Sequence, residues 1–510
     1  MSPLRNAITL LLIAAAACTA NRRRTPDDTV VVLIESPMTT SDPRYALTNY
    51  DAKLSRLVAP GLTTVDTPTA EAQPLLAAAI DRVDDVTMDV TLGDASFSDG
   101  TPVRAEDVAR TYQSVMDDAC GSLYQKGFLD RYKSVEALDA THVRFHLTKP
   151  IAMFVNDIEF GIISWHGVPS GQCRPARVIG AGPYVLTELT TRSARLDANP
   201  YYRVKPSLAH VEIKFVRDAA ARILMLVGGS ADLVQNAVRN DLIDDVAARP
   251  RVDVASGASV LLTYMLINNT DPVLADRRVR QALALALDRD AIIAAKFSGR
   301  AVLATGLLPP THWAYNGDVA RWPYNLARAK QLLDEAGHEP DARGIRLHLV
   351  YKTSADAFRV SIARVIAAQL AKVGIEVEVR SFEFATFFAD IKKGNYQIAT
   401  MQSPEITEPD FHFWFFHSSR WPTAKDPDGG NRWRYKNPEL DRLVEAGRSE
   451  LDRTRRKQLY AEAQRIVARD LPIIPLWHED NTVLTNIDVH GYTIVPNARF
   501  IGLLGTSKSP

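Results

Sequence analysis

Two hydrophobic periods run through this chain, and the sharpest change from one to the other falls between Thr263 and Ile292. Tyr264 to Ile267 is a short apolar run that stops at Asn268 and Asn269, as a strand running out into a loop does. Apolar residues then recur at helical spacing at Val279, Ala282, Leu283, Ala286 and Leu287, with Asp276 placed to cap the start. Asp288, Arg289 and Asp290 are expected to close that helix with charge.

The same reading extends in both directions. Thr29 to Ile34 is a β-branched, apolar run expected as a core strand, and Asp84 to Leu92 alternates with Val86, Met88, Val90 and Leu92 on one side. Val143 to Leu147 is another expected strand. Its flanking His142 and His146 stand roughly 13 Å apart in an extended chain, too far to share a metal ion. Further on, a helix at Leu326 to Ala336, a strand at Arg346 to Val350, a long helix at Ala355 to Lys372 and strands at Ile375 to Val379 and Tyr396 to Met401 give the βαβ rhythm of a parallel sheet. A late helix with Leu459, Ala463, Ile466 and Val467 on one face precedes a short strand at Ile473 to Leu476. The fold class is therefore α/β.

Composition narrows the functions. With 510 residues and 46% hydrophobic content the chain is long enough for two or three domains, and its 60 basic residues are matched by 60 acidic ones. That balance gives no support for nucleic-acid binding. Arg5, an apolar run from Ile8 to Ala17 and then Cys18 have the shape of an export signal too short to span a bilayer. Ala15 to Ala17 directly before Cys18 resemble a lipoprotein signal, in which the cysteine carries the lipid; plain cleavage at the alanines is the alternative. Taking Cys18 for the lipid leaves Cys120 and Cys173, which in an oxidising compartment pair most simply as a disulfide. Neither a Gly-x-Ser-x-Gly elbow nor a His-Glu-x-x-His motif is present, which leaves an envelope hydrolase without a recognisable nucleophile or metal centre.

Several blocks in order resemble the solute-binding proteins of peptide/nickel-type ABC importers, solute-binding protein family 5. They are Phe97 to Val103 with Ala105-Glu106-Asp107-Val108, Gly180-Ala181-Gly182-Pro183-Tyr184, Asn199-Pro200-Tyr201-Tyr202, Gly229 with Ala231 and Asp232, Asp276 with Val279-Arg280-Gln281-Ala282, and Ala371 to Ile375. One departure is Arg104, where the family has a capping Thr or Ser. The resemblance implies a two-lobed, type II periplasmic-binding-protein-like fold with an extra subdomain and two hinge crossings. On that basis residues 1–18 are a lipoprotein signal peptide, 19–29 a tether, 30–260 lobe I with the extra subdomain at roughly 60–185, 261–482 lobe II, and 483–510 a return to lobe I. It implies a receptor and no enzyme, no cofactor and no metal. Its partners are a small solute or peptide, the transmembrane subunits of an ABC permease, and the membrane through a lipid anchor, with the protein itself a monomer in the periplasm or cell envelope. A non-transport sensor, or a cargo of nickel complex, haem, opine or sugar, are the alternatives.

Ligand candidates cluster after the strand that ends near Met401, because loops at the carboxyl ends of parallel strands are where open α/β sheets bind ligands. Glu408-Pro409 matches the family's acid-proline pair, and Glu405 stands where peptide-binding members place an acid for the ligand's α-amino group. Gln402 and Ser403 flank it, and Gln402 replaces an aromatic residue that peptide binders often carry. Arg359 is a candidate for a ligand carboxylate or phosphate, and Asn268 for a polar contact at the end of its strand. The aromatic run Phe411 to Phe416 reads as helix packing.

Overall fold

The computed structural model describes residues 25–403 and 405–509. Cys18, the signal segment and most of the tether lie outside the described residues.

Three sheets organise the chain. The first has seven strands in the order Val252–Gly257, Asn481–Asn486, Leu233–Gln235, Thr29–Ile34, His210–Phe215, Ser193–Ala198 and Tyr184–Leu189. Thr29–Ile34 is parallel to both neighbours, and five of its six residues are buried, as a β-branched run covered on both faces should be. The second has six strands in the order Ala301–Leu303, Ile473–Glu479, Leu262–Ile267, Ile398–Gln402, Leu347–Ser354 and Ile375–Phe382. Leu347–Ser354 lies parallel to both flanking strands, with the helix Ala357–Ala371 as the crossover to Ile375–Phe382. The chain passes from the first sheet to the second between Gly257 and Leu262 and returns between Glu479 and Asn481.

A third sheet, antiparallel, has the order Ala77–Asp84, Thr87–Leu92, His142–Leu147 and Tyr132–Ala137. The helix Ala105–Met116 packs on it around Tyr112, whose ring meets Phe128, Tyr132 and Phe145 at 5.1–5.3 Å between centroids. Arg104 stands before this helix as expected, and half of the capping interaction survives because Asp107 accepts the Arg104 N–H at 3.1 Å. Cys120 and Cys173 are joined, with their Cα atoms 5.0 Å apart.

Two local expectations are corrected. The alternation from Asp84 to Leu92 is no single strand: Asp84 accepts the Val86 N–H in a turn between two strands, and Val86 is exposed. Asp288 does not end the helix Arg277–Ala286 but caps a new one, Arg289–Phe297, by accepting the Ala291 N–H at 3.0 Å. Short polar acids serve as starts more readily than stops, because their oxygens meet the unpaired N–H groups of a first turn.

Close packing explains the Gly-Ala-Gly-Pro-Tyr block. A Cβ on Gly180 would lie 2.0 Å from the Val58 carbonyl oxygen, and one on Gly182 would lie 2.3 Å from that of Leu57. The helix Asn49–Val58 therefore rests directly on this backbone, which fixes its height over the first sheet.

Candidate functional site

A cavity of about 420 Å³ opens between the first and second sheets. Its walls are strand ends. Glu35 follows Thr29–Ile34 and Asn236 follows Leu233–Gln235 on one side; Asp356 follows Leu347–Ser354 and Gln402 ends Ile398–Gln402 on the other. All four stand at the carboxyl ends of strands that run parallel to a neighbour, the position at which open α/β sheets collect ligands. Glu479, Asp480 and Asn481, the returning crossover, line the same cavity, so a change of angle between the lobes changes its width.

Charged groups in the cavity are mostly held in place by protein. Arg222 is buried and donates to the carbonyls of Ala237, Val216 and Arg217 at 2.6–2.9 Å, with Glu35 at 3.8 Å. Arg359 pairs with Glu479 at 3.1 Å, and Glu479 also accepts the Thr263 hydroxyl at 2.7 Å. Asp356 caps the helix that carries Arg359.

A second group of charges bridges the lobes. Arg499, from the last segment of the first lobe, lies 3.1 Å from Glu405 of the second and 2.8 and 3.2 Å from the two oxygens of Glu159. It also meets Asp66 at 3.3 Å, while Arg56 reaches Glu159 at 3.2 Å. Burial works to push the Glu159 carboxyl up, but the Arg499 and Arg56 guanidiniums outweigh it and hold it at about 2. At Glu405 burial wins over Arg499, and the carboxyl sits above its ordinary value. Elsewhere the lobes touch where Arg453 meets Glu71, where Arg300 meets Asp244, and where the Ala152 N–H donates to Arg448 at 3.0 Å.

The six sequence candidates separate on this geometry. Gln402 and Arg359 line the cavity. Glu405 stands in the interlobe charge group. Ser403 is buried and spent on backbone, its hydroxyl accepting the Leu262 N–H at 2.8 Å. Glu408 is withdrawn into the second lobe, 2.8 Å from Arg456 with both side chains buried, and burial pushes its carboxyl up to about 7. Asn268 stands at the far end of Leu262–Ile267 from the cavity and donates to the carbonyls of Gly394 and Tyr396. Ser403, Glu408 and Asn268 thus each have polar atoms engaged by the protein. Phe411–Phe416 is a helix whose Phe415 and Phe416 pack on Trp433.

Glu35, Lys53, Arg56, Glu159, Arg222 and Arg499 went unnoticed in the sequence. One of them carries a local signal. Lys53 falls in the apolar stripe of its helix, between Tyr50 and Leu57, where a charge has no reason to be unless something meets it.

The family model for bacterial extracellular solute-binding proteins, family 5 Middle, matches residues 71–423. The chain belongs to this family. Among family 5 relatives, the probable D,D-dipeptide-binding periplasmic protein DdpA of Escherichia coli K12 is 27% identical over 418 residues, covering 79% of this chain and 78% of that one. The oligopeptide-binding protein AppA of Bacillus subtilis, solved in complex with a nonapeptide, superposes with a TM-score of 0.75 at 25% identity over 94% of this chain and 99% of that one. NikZ from Campylobacter jejuni, solved with Ni(L-His), has the same fold, with a TM-score of 0.79 at 24% identity over 95% of this chain and 100% of that one. The two-lobed α/β architecture of family 5 is thus the architecture of this protein. Among the described residues no helix is long and apolar enough to cross a membrane.

Proposed function

We propose that this family 5 protein is the solute receptor of an ABC importer, held at the membrane through Cys18, and that its cargo is a short peptide. The cavity of about 420 Å³ between facing strand ends, with a chain crossover in its wall, carries the reading. Its size falls in the range of small-molecule sites, roughly 300–1,000 Å³, at the end that suits a few residues better than a long peptide. Charged groups of both signs line it, Glu35 and Asp356 with Arg222 and Arg359, which gives a polar cavity suited to a charged cargo even though most of these groups are held by protein. Relatives named for dipeptides and for di/tripeptides support the same class. Closing over cargo and presenting it to the permease subunits requires only a monomer with a working hinge.

The test is native mass spectrometry of the soluble form, residues 19–510 with Cys18 replaced, purified without refolding. Released species spaced by amino-acid residue masses support the peptide receptor. An empty protein that also fails to bind any member of a dipeptide library removes the peptide cargo. Membrane anchoring is read separately, by loss of radiolabelled lipid incorporation in full-length Cys18→Ser.

A further inference from the structure

Lys53 lies in the buried stripe of the helix Asn49–Val58 and is 4% exposed. Its ammonium stands over the rings of Tyr50 and Phe500, at 5.3 and 5.0 Å from their centroids. Among the described residues no hydrogen bond or ion pair is found for it, and its Nζ is not among the unpartnered polar atoms that are fully closed off from water. Its three donors have no protein acceptor among those residues, and ring faces satisfy none of them fully.

Its neighbours are differently placed. Arg56, one helical turn on and on the same face, pairs with Glu159; Arg499 has three carboxylates; Arg222 has three carbonyls; Arg359 has Glu479. The acids whose field reaches Lys53 are Glu405 and Glu35. Glu405 is already taken by Arg499. Glu35 is 47% exposed, and the nearest cation that it pairs with, Arg222, is 3.8 Å away. The bonded group of Asp66, Glu159 and Glu405 against Arg56 and Arg499 carries one net negative charge, so a lone anion would add to it. A zwitterion would not.

We propose that Lys53 receives the carboxylate of the cargo and Glu35 its ammonium, so that the protein selects zwitterions, short peptides among them. This rests on the reading of the protein as a peptide receptor. Arg499 then acts as the resident counter-ion of Glu405 and leaves Glu35 as the acid for an incoming ammonium.

The experiment is calorimetric titration of Ala-Phe, its C-terminal amide and its N-acetyl form into wild type, Lys53→Met and Glu35→Gln. Wild type is expected to bind Ala-Phe at least tenfold more tightly than either blocked form. In Lys53→Met the preference for acid over amide falls below threefold while the penalty for acetylation stays, and in Glu35→Gln the reverse holds. A wild type indifferent to both blocks, or variants that keep both ratios, overturns the assignment. If no peptide binds, the same comparison is made with 4-aminobutyrate and its amide. A preference for the acid that is lost in Lys53→Met keeps the Lys53 site and removes the peptide cargo, and no acid preference in either series overturns Lys53.

Discussion

Arg499 and Glu405 stand 3.1 Å apart, guanidinium to carboxylate, across the boundary between the two lobes. Arg499 is fixed on its own side by Glu159 and Asp66, so Glu405 is the only member of the group that leaves when the lobes separate. Glu405→Gln should therefore shift the ligand-free protein toward an open form, read as a larger radius of gyration in X-ray scattering, while urea unfolding changes by under about 1 kcal/mol. Arg499→Met removes the charge that three carboxylates share and should cost about 3–5 kcal/mol. Equal scattering curves for wild type and Glu405→Gln would rule out the latch.

Lys53 makes a prediction about pH. Burial, the larger influence, lowers its ammonium from the ordinary lysine value to about 8 against the pull of Glu405 and Glu35. A depressed folded-state value means that the stability linked to this group is fully present above the unfolded value, near 10.5, and is lost as pH falls through about 8. In ligand-free protein at pH 7, Lys53→Met should accordingly be more stable than wild type by on the order of 3 kcal/mol, the size of a shift of this extent. That advantage should shrink between pH 7 and 9.5 in chemical unfolding. A constant difference across that range would show that the charge of Lys53 is not the cause.

The bond between Cys120 and Cys173 closes a loop with a sequence separation of 53. Restricting the unfolded chain over a loop of this length contributes about 4 kcal/mol by chain entropy, with measured values usually about 2–4. Cys120→Ser with Cys173→Ser should lower stability by that amount. Because Cys120 follows the helix Ala105–Met116 that packs on the antiparallel sheet, proteolysis there should accelerate before any change in the second lobe. Protection in both lobes falling together would contradict local coupling.

Gly180→Ala places a methyl 2.0 Å from the Val58 carbonyl oxygen, against backbone that has no rotamer to change. The cost should be about 3 kcal/mol or more, seen as a lower melting temperature or lost soluble yield. The same substitution at Gly299, which has nothing within 4 Å but sits at positive φ, should cost only the local backbone strain of about 1 kcal/mol.

How much of this was legible in the sequence follows from the range of the interactions. The helix start at Asp276 could be read because its side chain caps an N–H two residues away. The Gly180 and Gly182 approach could be read as a demand for small residues, though not as the underside of a particular helix. Gln402 was visible as a polar group at a strand end, because strand direction places it; Arg359 was visible near the start of the long helix, and Glu405 through the position at which the family that the chain resembles carries an acid.

The sequence by itself determined individual strands and helices and the βαβ rhythm of the second half, since periodicity and capping are settled within a few residues along the chain, while the division into two lobes was implied by the family resemblance. Only the tertiary structure decided which charges meet. Glu405 reaches Arg499 across 94 residues and Arg499 reaches Glu159 across 340, both through the return of the chain to its first lobe. Lys53 is left unpaired by the same folding, and Asn268, Ser403 and Glu408 are spent on backbone or on Arg456. Ion pairing depends on distance in space and on burial, and neither is written in the spacing of residues along a chain.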